Sequence, residues 1–255
     1  YSRNSAGKYP LDVGEVRGAV LQSNSISERL REFRDFRIAS IGTDETPVRL
    51  EPGARVTMHV VPYKSLQASL EVSLEAVMQK QSQARPIGGL NGAQYNFDGA
   101  LFIGESPAKE PYGYVQVFRT GVIELVDTLV FDNAQGKTTI HAITLEKELI
   151  EAADRFVGLQ QELELGLPVA IMVTLLGVRG YGLVVSSNLL RTRLARSRVI
   201  DRDILRMPEV LLDGRDLSVA RALRPAFDAL WNAAGWPRSL TYDDRGEWGS
   251  GPNKG

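Results

Sequence analysis

Six arginines lie close together near the C-terminal end of the chain, where they could bind phosphate. They are Arg191, Arg193, Arg196, Arg198, Arg202 and Arg206. Only Asp201 and Asp203 offset their charge. The segment contains no aromatic residue, so its sequence does not predict base stacking. A guanidinium presents a planar fork of donors that matches phosphate and gives sequence-independent, salt-sensitive affinity. We predict nucleic-acid binding by Arg191, Arg193, Arg196 and Arg198, with a solvated or interdomain salt-bridging surface as the alternative.

A second candidate is the glycine-rich loop behind an apolar run, with Gly177, Arg179, Gly180 and Gly182. Its glycines would let the backbone approach a phosphate, and Arg179 would supply charge. The order is not G-x-G-x-x-G, however, and no amphipathic helix opens directly behind it. The pattern favours a turn at a strand end, with a small-ligand or subunit contact at Gly177, Arg179 and Gly180 as the alternative.

The segment 132–139 ends in Gly136, Lys137 and Thr138, as a phosphate-binding P-loop does. The first glycine of that motif should stand at position 131, which is Phe131. The residues after the lysine have the pattern of a strand, whereas a P-loop needs a helix whose N-terminal amides face the phosphates. The segment therefore predicts a hairpin turn.

His59 and His141 are the only histidines, and they fall on separate predicted strands. Neither has a carboxylate or a second ligand nearby at metal-binding spacing, so both are interpreted as polar strand residues. Glu124 and Asp127 do not share a face of their predicted strand and do not form an acid/base pair. We predict no catalytic residue, metal or cofactor in this chain.

The amino-acid composition excludes several classes of functional site. Cysteine is absent, which excludes disulfides, Cys-ligated zinc, iron–sulfur clusters and thiol nucleophiles. Because the net charge is −1, the electrostatic field of the whole protein does not favour binding of a polyanion. Nucleic-acid binding would therefore require a local basic patch. The longest nearly apolar run, residues 167–178, is too short to span a bilayer. We expect a cytoplasmic protein with no membrane partner.

The patterns near the N-terminus predict a short helix and then a better one. The first covers residues 12–22, residues 23–25 break it, and a capping box of Ser25 and Glu28 opens the second, which Gly42 ends. The connector 43–53 contains Pro47 and Pro52 and marks a domain boundary. We predict trailing elements of an upstream domain at 1–45, an α+β domain at 46–238 and a flexible tail at 239–255.

Within the second domain, alternation and turn residues predict several strands and helices. The predicted strands cover residues 55–61, 95–103, 112–119, 122–131, 138–143 and 168–178. A Thr120-Gly121 turn joins two of them. A helix is predicted at 69–83, another from Thr144 with Leu149, Phe156 and Leu163 on its apolar face, and a third around Pro225. The fold class is α+β, with a mixed, largely antiparallel sheet, packed helices and one βαβ crossover.

Several sequence segments resemble segments of the bacterial Schlafen-like proteins that carry a divergent Alba-type putative DNA-binding domain. Segment 3–10 reads Arg-Asn-Ser-Ala-Gly-Lys-Tyr-Pro, like the last strand and exit loop of that domain. Further similar phrases are Thr-Pro-Val-Arg-Leu at 46–50, Phe-Asp-Gly at 97–99, Tyr-Val-Gln-Val-Phe-Arg at 114–119 and Leu-Gly-Val-Arg-Gly-Tyr at 176–181. The resemblance implies an upstream Alba-type domain as a partner. Related Schlafen domains include nucleases, but their acidic catalytic residues belong to the Alba-type core, so none is carried over.

These observations lead to one hypothesis and two alternatives. In the leading hypothesis, the chain is a noncatalytic C-terminal module that assists either the binding of DNA or RNA or homo-oligomerisation. Its biological role would be regulation or anti-phage defence, and the defence role is implied by the resemblance alone. The first alternative is part of a nuclease or nucleotide-dependent enzyme whose active site lies mainly in the upstream domain. The second is a structural dimerisation domain.

Overall fold

The computed structural model describes residues 2–4, 7–9, 13–66, 70–105, 110–132, 138–184, 198–214 and 218–249, with side chains from residue 25 onward. The chain divides into two compact units, Tyr1–Glu45 and Thr46–Gly255. This division falls at the connector that the prolines predict.

The first unit consists of a short hairpin and one long helix. Strands β1 (Ser2–Asn4) and β2 (Gly7–Tyr9) pair antiparallel, and α1 runs without interruption over Val13–Gly42. The predicted break at residues 23–25 is therefore wrong. Serine and asparagine lower helix propensity by only a few tenths of a kcal/mol each, roughly, which neighbouring turns can outweigh. Leu30, Arg34, Ile38 and Ile41 form a buried stripe on α1.

The second unit holds eleven strands and three helices among its described residues. The strands are β3 (Arg55–Pro62), β4 (Gly92–Tyr95), β5 (Gly99–Gly104), β6 (Gly113–Phe118), β7 (Ile123–Asp127), β8 (Phe131–Asp132), β9 (Thr139–His141), β10 (Val169–Leu176), β11 (Gly182–Val184), β12 (Ile204–Arg206) and β13 (Val210–Leu212). The helices are α2 (Leu74–Gln79), α3 (Ala142–Glu162) and α4 (Val219–Ala233), and a 3-10 turn covers Tyr63–Leu66.

The large sheet has the strand order β12-β10-β3-β7-β6-β5-β4, and β13 also pairs with β10. All of its described pairs are antiparallel. Because β7 and β10 both run antiparallel to β3, they are parallel to each other, and the connection between them contains α3. A small sheet of β8, β9 and β11 includes the parallel pair β9/β11. The predicted α+β class, with a largely antiparallel sheet and a crossover, is confirmed.

The core lies between one face of the large sheet and the helices α3 and α4. Leu149 and Phe156 of α3 are fully buried there, as predicted, and every residue of β10 is buried. Helix α3 begins at Ala142 rather than at Thr144, and its N-cap His141 makes no side-chain capping bond. Burial of Ala142 and Leu145 against the core accounts for the earlier start, because packing outweighs capping preference.

Two hairpins show how turn residues position the strands. Gly121 has a φ of +80° at the end of the β6–β7 loop, as predicted, but the loop contains three residues because the Phe118 amide bonds to the Val122 carbonyl. The predicted strand at 95–103 is confirmed over 99–103, which belong to β5, but its start is wrong, since residues 96–98 make a turn between β4 and β5. The Asn96 side chain accepts the Gly99 amide at 2.8 Å, a local bond that competes with strand pairing.

Helix α2 is much shorter than the predicted helix at 69–83. It starts after Ser73, whose hydroxyl accepts the Ala76 amide, and it ends at Gln79. The sequence predicts a flexible tail from residue 239, but residues 239–249 are folded against the rest of the second unit. Ser239, Thr241 and Tyr242 are buried, and Tyr242 forms an antiparallel bridge with Trp248. These polar residues have buried partners that the sequence alone does not identify.

Candidate functional site

The glycine-rich loop and the end of the arginine segment form one edge of the second unit. The Val178 amide donates to the Asp203 carbonyl at 3.1 Å, and the Gly180 amide donates to the Ile200 carbonyl at 2.9 Å. Strand β12 then continues alongside β10. We call residues 177–180 and 198–206 the basic edge. The structure thus joins two candidate segments that the sequence suggests separately.

The charges of the basic edge are predominantly positive. Its four arginines, Arg179, Arg198, Arg202 and Arg206, are all exposed and stand against two aspartates. Arg202 pairs with Asp201 at 3.1 Å. The Arg202 guanidinium and, more weakly, Arg179 lower the pKa of Asp201, which places Arg179 within electrostatic reach of this segment. Arg191, Arg193 and Arg196 lie outside the described residues, so their role remains a prediction.

The backbone conformation of the basic edge explains why glycine stands at positions 177 and 180. Gly177 and Gly180 adopt φ values of +70° and +85°, which favour glycine. A Cβ on Gly177 would lie 3.4 Å from the Cα of Ala54, where the loop passes the start of β3. The glycines therefore form the turn, and Arg179 is the side chain of this loop that offers chemistry to a ligand.

The segment that resembles a P-loop lies between paired strands. Phe131 pairs with Ile140 and Asp132 with Thr139 in an antiparallel arrangement, while residues 133–137 lie outside the described residues. A strand therefore comes after the lysine and threonine where a P-loop requires the N-terminus of a helix. This geometry does not support nucleotide binding of the P-loop type.

A buried hydrogen-bonded group contradicts the prediction that His59 lacks a nearby carboxylate. His59 Nε2 lies 2.9 Å from Glu124 Oε2, and the Tyr114 hydroxyl donates to Glu124 Oε1 at 2.9 Å. His59 and Glu124 are 65 residues apart but face each other directly in the β3/β7 register. A histidine beside a carboxylate is a familiar base, but all three residues have 0% exposure. No substrate could reach them without a rearrangement, so this group serves the fold.

Asp127 is a buried carboxylate with few partners. Its Oδ1 accepts the Leu129 amide at 2.7 Å, whereas Oδ2 is buried without a hydrogen-bond partner in the described part of the chain. Burial raises the pKa of Asp127 well above its usual value, the Leu129 amide opposes this rise, and the charge of Glu148 adds to it. A Cβ at Gly113 would lie 2.6 Å from Oδ2, so the opposite strand needs glycine here.

Glu146 on α3 is a buried carboxylate with four side-chain donors. Trp231 Nε1 donates to Oε1 at 2.6 Å, and Trp248 Nε1 donates to Oε2 at 3.0 Å. The hydroxyls of Ser239 and Thr241 donate to the same carboxylate. Burial raises the pKa of Glu146, and these four hydrogen bonds oppose the rise. These five residues, which we call the Glu146 cluster, connect α3, α4 and the segment 239–249.

One open groove of about 380 Å³ lies beside α2, with Lys64, Glu71, Glu162 and Glu164 in its lining. Lys64 Nζ donates to the Glu164 carbonyl at 2.8 Å, and Lys80 pairs with Glu162 at 2.5 Å. The cations around this groove are therefore already paired with protein groups. It offers no convergent set of catalytic side chains.

Similarity to known proteins does not identify a function for this chain. No family model, curated protein or solved structure matches it. Among the described residues, no group of three or more His, Cys, Asp or Glu side chains could hold a metal ion. In the same part of the chain, no helix is long and apolar enough to cross a membrane.

Proposed function

We propose that this chain is a noncatalytic nucleic-acid-associated module that contacts phosphates through its basic edge. In this proposal Arg179 and Arg202 extend the patch that the sequence suggests at Arg191, Arg193, Arg196 and Arg198. An upstream Alba-type domain is the proposed partner, and DNA and RNA are both candidate ligands. The observation that carries the proposal is the meeting of two arginine-bearing segments at one edge of the sheet.

The exposure of these arginines supports phosphate binding over a structural role. The four described arginines of the basic edge are exposed, whereas the histidine, glutamate and tyrosine of the sheet are buried. Arginine forms bidentate contacts with phosphate, and each contact releases counterions from nucleic acid. Because the net charge of the chain is only −1, binding must depend on this local patch and must weaken with salt.

A salt series with matched variants tests this proposal. The basic-edge variant carries Arg179→Gln and Arg202→Gln, and the control carries Arg31→Gln and Arg245→Gln, which remove two charges from other exposed positions. We expect the slope of log affinity against log salt to fall by about 0.7 to 0.9 per lost contact only in the basic-edge variant. A third variant with Gln at 191, 193, 196 and 198 tests the remaining arginines.

Fluorescence anisotropy with mixed-sequence duplex and single-stranded probes measures both the affinity and the slope. Equal slopes for wild type, control and both arginine variants would contradict phosphate binding at this edge. They would instead assign these arginines to a solvated or interdomain surface.

The alternative that the chain is part of an enzyme is tested by an activity assay. If the chain completes a nuclease or nucleotide-dependent site, its described groups must act together with those of another domain, because the His59 group is buried and the P-loop geometry fails. We expect no ATP hydrolysis and no cleavage of RNA or DNA by the purified chain with Mg²⁺ or Mn²⁺. Turnover that persists in independent preparations and is abolished by a point substitution would contradict the noncatalytic proposal.

A further inference from the structure

Strand β4 lies at the end of the large sheet opposite to β12. Within the described part of the chain it pairs only with β5, so its other backbone edge has no strand partner. Edge strands commonly carry lysine, proline or a covering segment that prevents pairing with another chain. The residues of β4 are Gly92, Ala93, Gln94 and Tyr95, none of which is charged or proline, and Gln94 and Tyr95 are exposed.

The β4–β5 hairpin determines which backbone groups face outward. Asn96 and Gly99 exchange two backbone hydrogen bonds, of 2.9 and 3.3 Å. Hydrogen-bonded and non-hydrogen-bonded pairs alternate along an antiparallel ladder. Gln94 therefore belongs to a bonded pair with Leu101, whereas Ala93 and Tyr95 direct their N–H and C=O groups away from β5. These outward groups are available to a further strand.

Two aromatic side chains flank this open edge. Tyr95 is 54% exposed, and Phe97 at the tip of the hairpin is 92% exposed. The backbone of the turn is fixed, because Arg119 Nε donates to the Phe97 carbonyl at 3.0 Å and Asn96 Nδ2 donates to Gln116 Oε1 at 2.6 Å. Gly99 is required there, since a Cβ would lie 2.1 Å from the Val117 carbonyl oxygen. Aromatic residues are enriched at protein–protein interfaces, so two exposed rings beside an open edge favour a recognition surface.

We propose that β4 pairs antiparallel with β4 of a second copy of this chain, about a two-fold axis through Gln94. Outward groups must meet outward groups, so Ala93 of each copy bonds with Tyr95 of the other, and the two Gln94 residues lie opposite each other. The small side chain of Ala93 leaves room for the Tyr95 ring across the strands. Because the strand is uncharged, self-pairing brings no like charges together, and the two-fold axis closes the assembly as a dimer.

The dimer would carry its two basic edges at opposite ends of a continuous sheet, since β12 and β4 are opposite ends of the strand order. Self-pairing does not depend on nucleic-acid binding, and either proposal can fail alone. A four-residue strand pair buries less surface than the roughly 1,200 Å² of a typical stable interface. We therefore expect a weak dimer, with a dissociation constant on the order of micromolar.

Charge substitution at Gln94 tests the dimer. Gln94→Lys and Gln94→Glu each place two like charges across the proposed axis, and Gln94 is exposed, so neither should unfold the protein. Gln81→Lys is the matched control, because Gln81 is exposed and lies outside β4. Sedimentation velocity across a concentration series measures the mass of each protein, and circular dichroism verifies folding.

We expect concentration-dependent dimers for wild type and Gln81→Lys, and at least a tenfold weaker association, on the order of 1.4 kcal/mol, for each Gln94 variant alone. An equimolar mixture of the Lys and Glu variants should restore the dimer, because opposite charges then meet at the axis. A monomeric wild type would overturn the proposal, even if the edge bound an extended peptide from another protein. Dimers of Gln94→Lys as strong as those of wild type would also overturn it.

Discussion

Two buried carboxylates of the second unit, Glu146 and Asp127, are stabilised in opposite ways. Glu146 accepts hydrogen bonds from four side chains, whereas Asp127 accepts a short bond from the Leu129 amide and keeps one buried oxygen without a partner in the described part of the chain. Burial raises the pKa of both groups, but only Glu146 has four side-chain donors that oppose the rise. A buried charge is stable only when hydrogen bonds replace its lost hydration.

Glu146 connects segments that are distant in sequence, whereas the hydrogen-bond donor to Asp127 is local in sequence. The donors to Glu146 come from positions 231, 239, 241 and 248, which lie 85 to 102 residues away in sequence. The Leu129 amide that donates to Asp127 is only two residues away. Removing the Glu146 carboxylate should therefore affect folding of the C-terminal segment, whereas neutralising Asp127 should relieve a penalty.

The largest expected effect is that of Glu146→Ala. This change removes the acceptor of the buried Trp231 indole and of the Ser239 and Thr241 hydroxyls, of which only one can still donate to the other. Each unsatisfied buried donor costs about 1 to 3 kcal/mol, so we expect the free energy of unfolding to fall by about 4 kcal/mol or more. Urea unfolding followed by tryptophan fluorescence measures this loss. Glu151→Ala on the exposed side of α3 is the control, with an expected change within about 0.5 kcal/mol.

An intermediate effect is expected for Trp248→Phe, which keeps an aromatic ring but removes one donor to Glu146. A hydrogen bond to a charged group contributes about 1.5 to 3 kcal/mol, so a loss of about 2 kcal/mol is expected. Trp236→Phe is a matched control, because the Trp236 indole nitrogen is buried without a partner in the described residues. Equal losses for the two variants in thermal unfolding would show that ring packing, rather than the Glu146 cluster, holds this segment.

The smallest effect, and the only gain, is expected for Asp127→Asn. A raised pKa in the folded state means that the stability contributed by Asp127 is fully present below its unfolded pKa and is lost as pH rises through the folded pKa. The neutral variant should therefore be more stable than wild type at pH 7 to 8, by about 1 kcal/mol. The difference should disappear below about pH 4, where the wild-type carboxyl is protonated in both states.

Chemical unfolding at several pH values measures this profile. A gain that did not change with pH would indicate that packing, and not the buried charge, separates the two proteins. Asp98→Asn in the exposed β4–β5 turn is a control in which the pH dependence of unfolding should stay close to that of wild type.

Much of the second unit could be predicted because its local patterns and its packing agree. The apolar residues of β10 and the stripe of α3 predict buried elements, and Gly121 predicts a turn with positive φ. The predicted break in α1 was wrong because the low helix propensity of residues 23–25 is too weak to interrupt the helix. The predicted strand at 95–103 began too early because the Asn96 side chain forms a local turn before β5. The turn preference of asparagine before Asp98-Gly99 is a local signal that could have identified this second error.

The polar contacts that give each buried group its environment could not be predicted. His59 meets Glu124 only because β3 and β7 are neighbours in a particular register, and Ser239 meets Glu146 only because the C-terminal segment folds back onto α3. The same is true of the basic edge, where backbone bonds join residues 178 and 203 and bring Arg179 toward Asp201. No periodicity in the sequence encodes these pairings.

The sequence by itself determined that this chain folds as α+β, with a buried apolar strand and an amphipathic helix, because hydrophobic period and turn residues act within a few positions of each other. It also determined the absence of cysteine chemistry. Only the tertiary structure decided which charges are buried, which are exposed and which strand edge stays open. Those properties depend on contacts between residues tens of positions apart, which form when the whole sheet and its helices pack together.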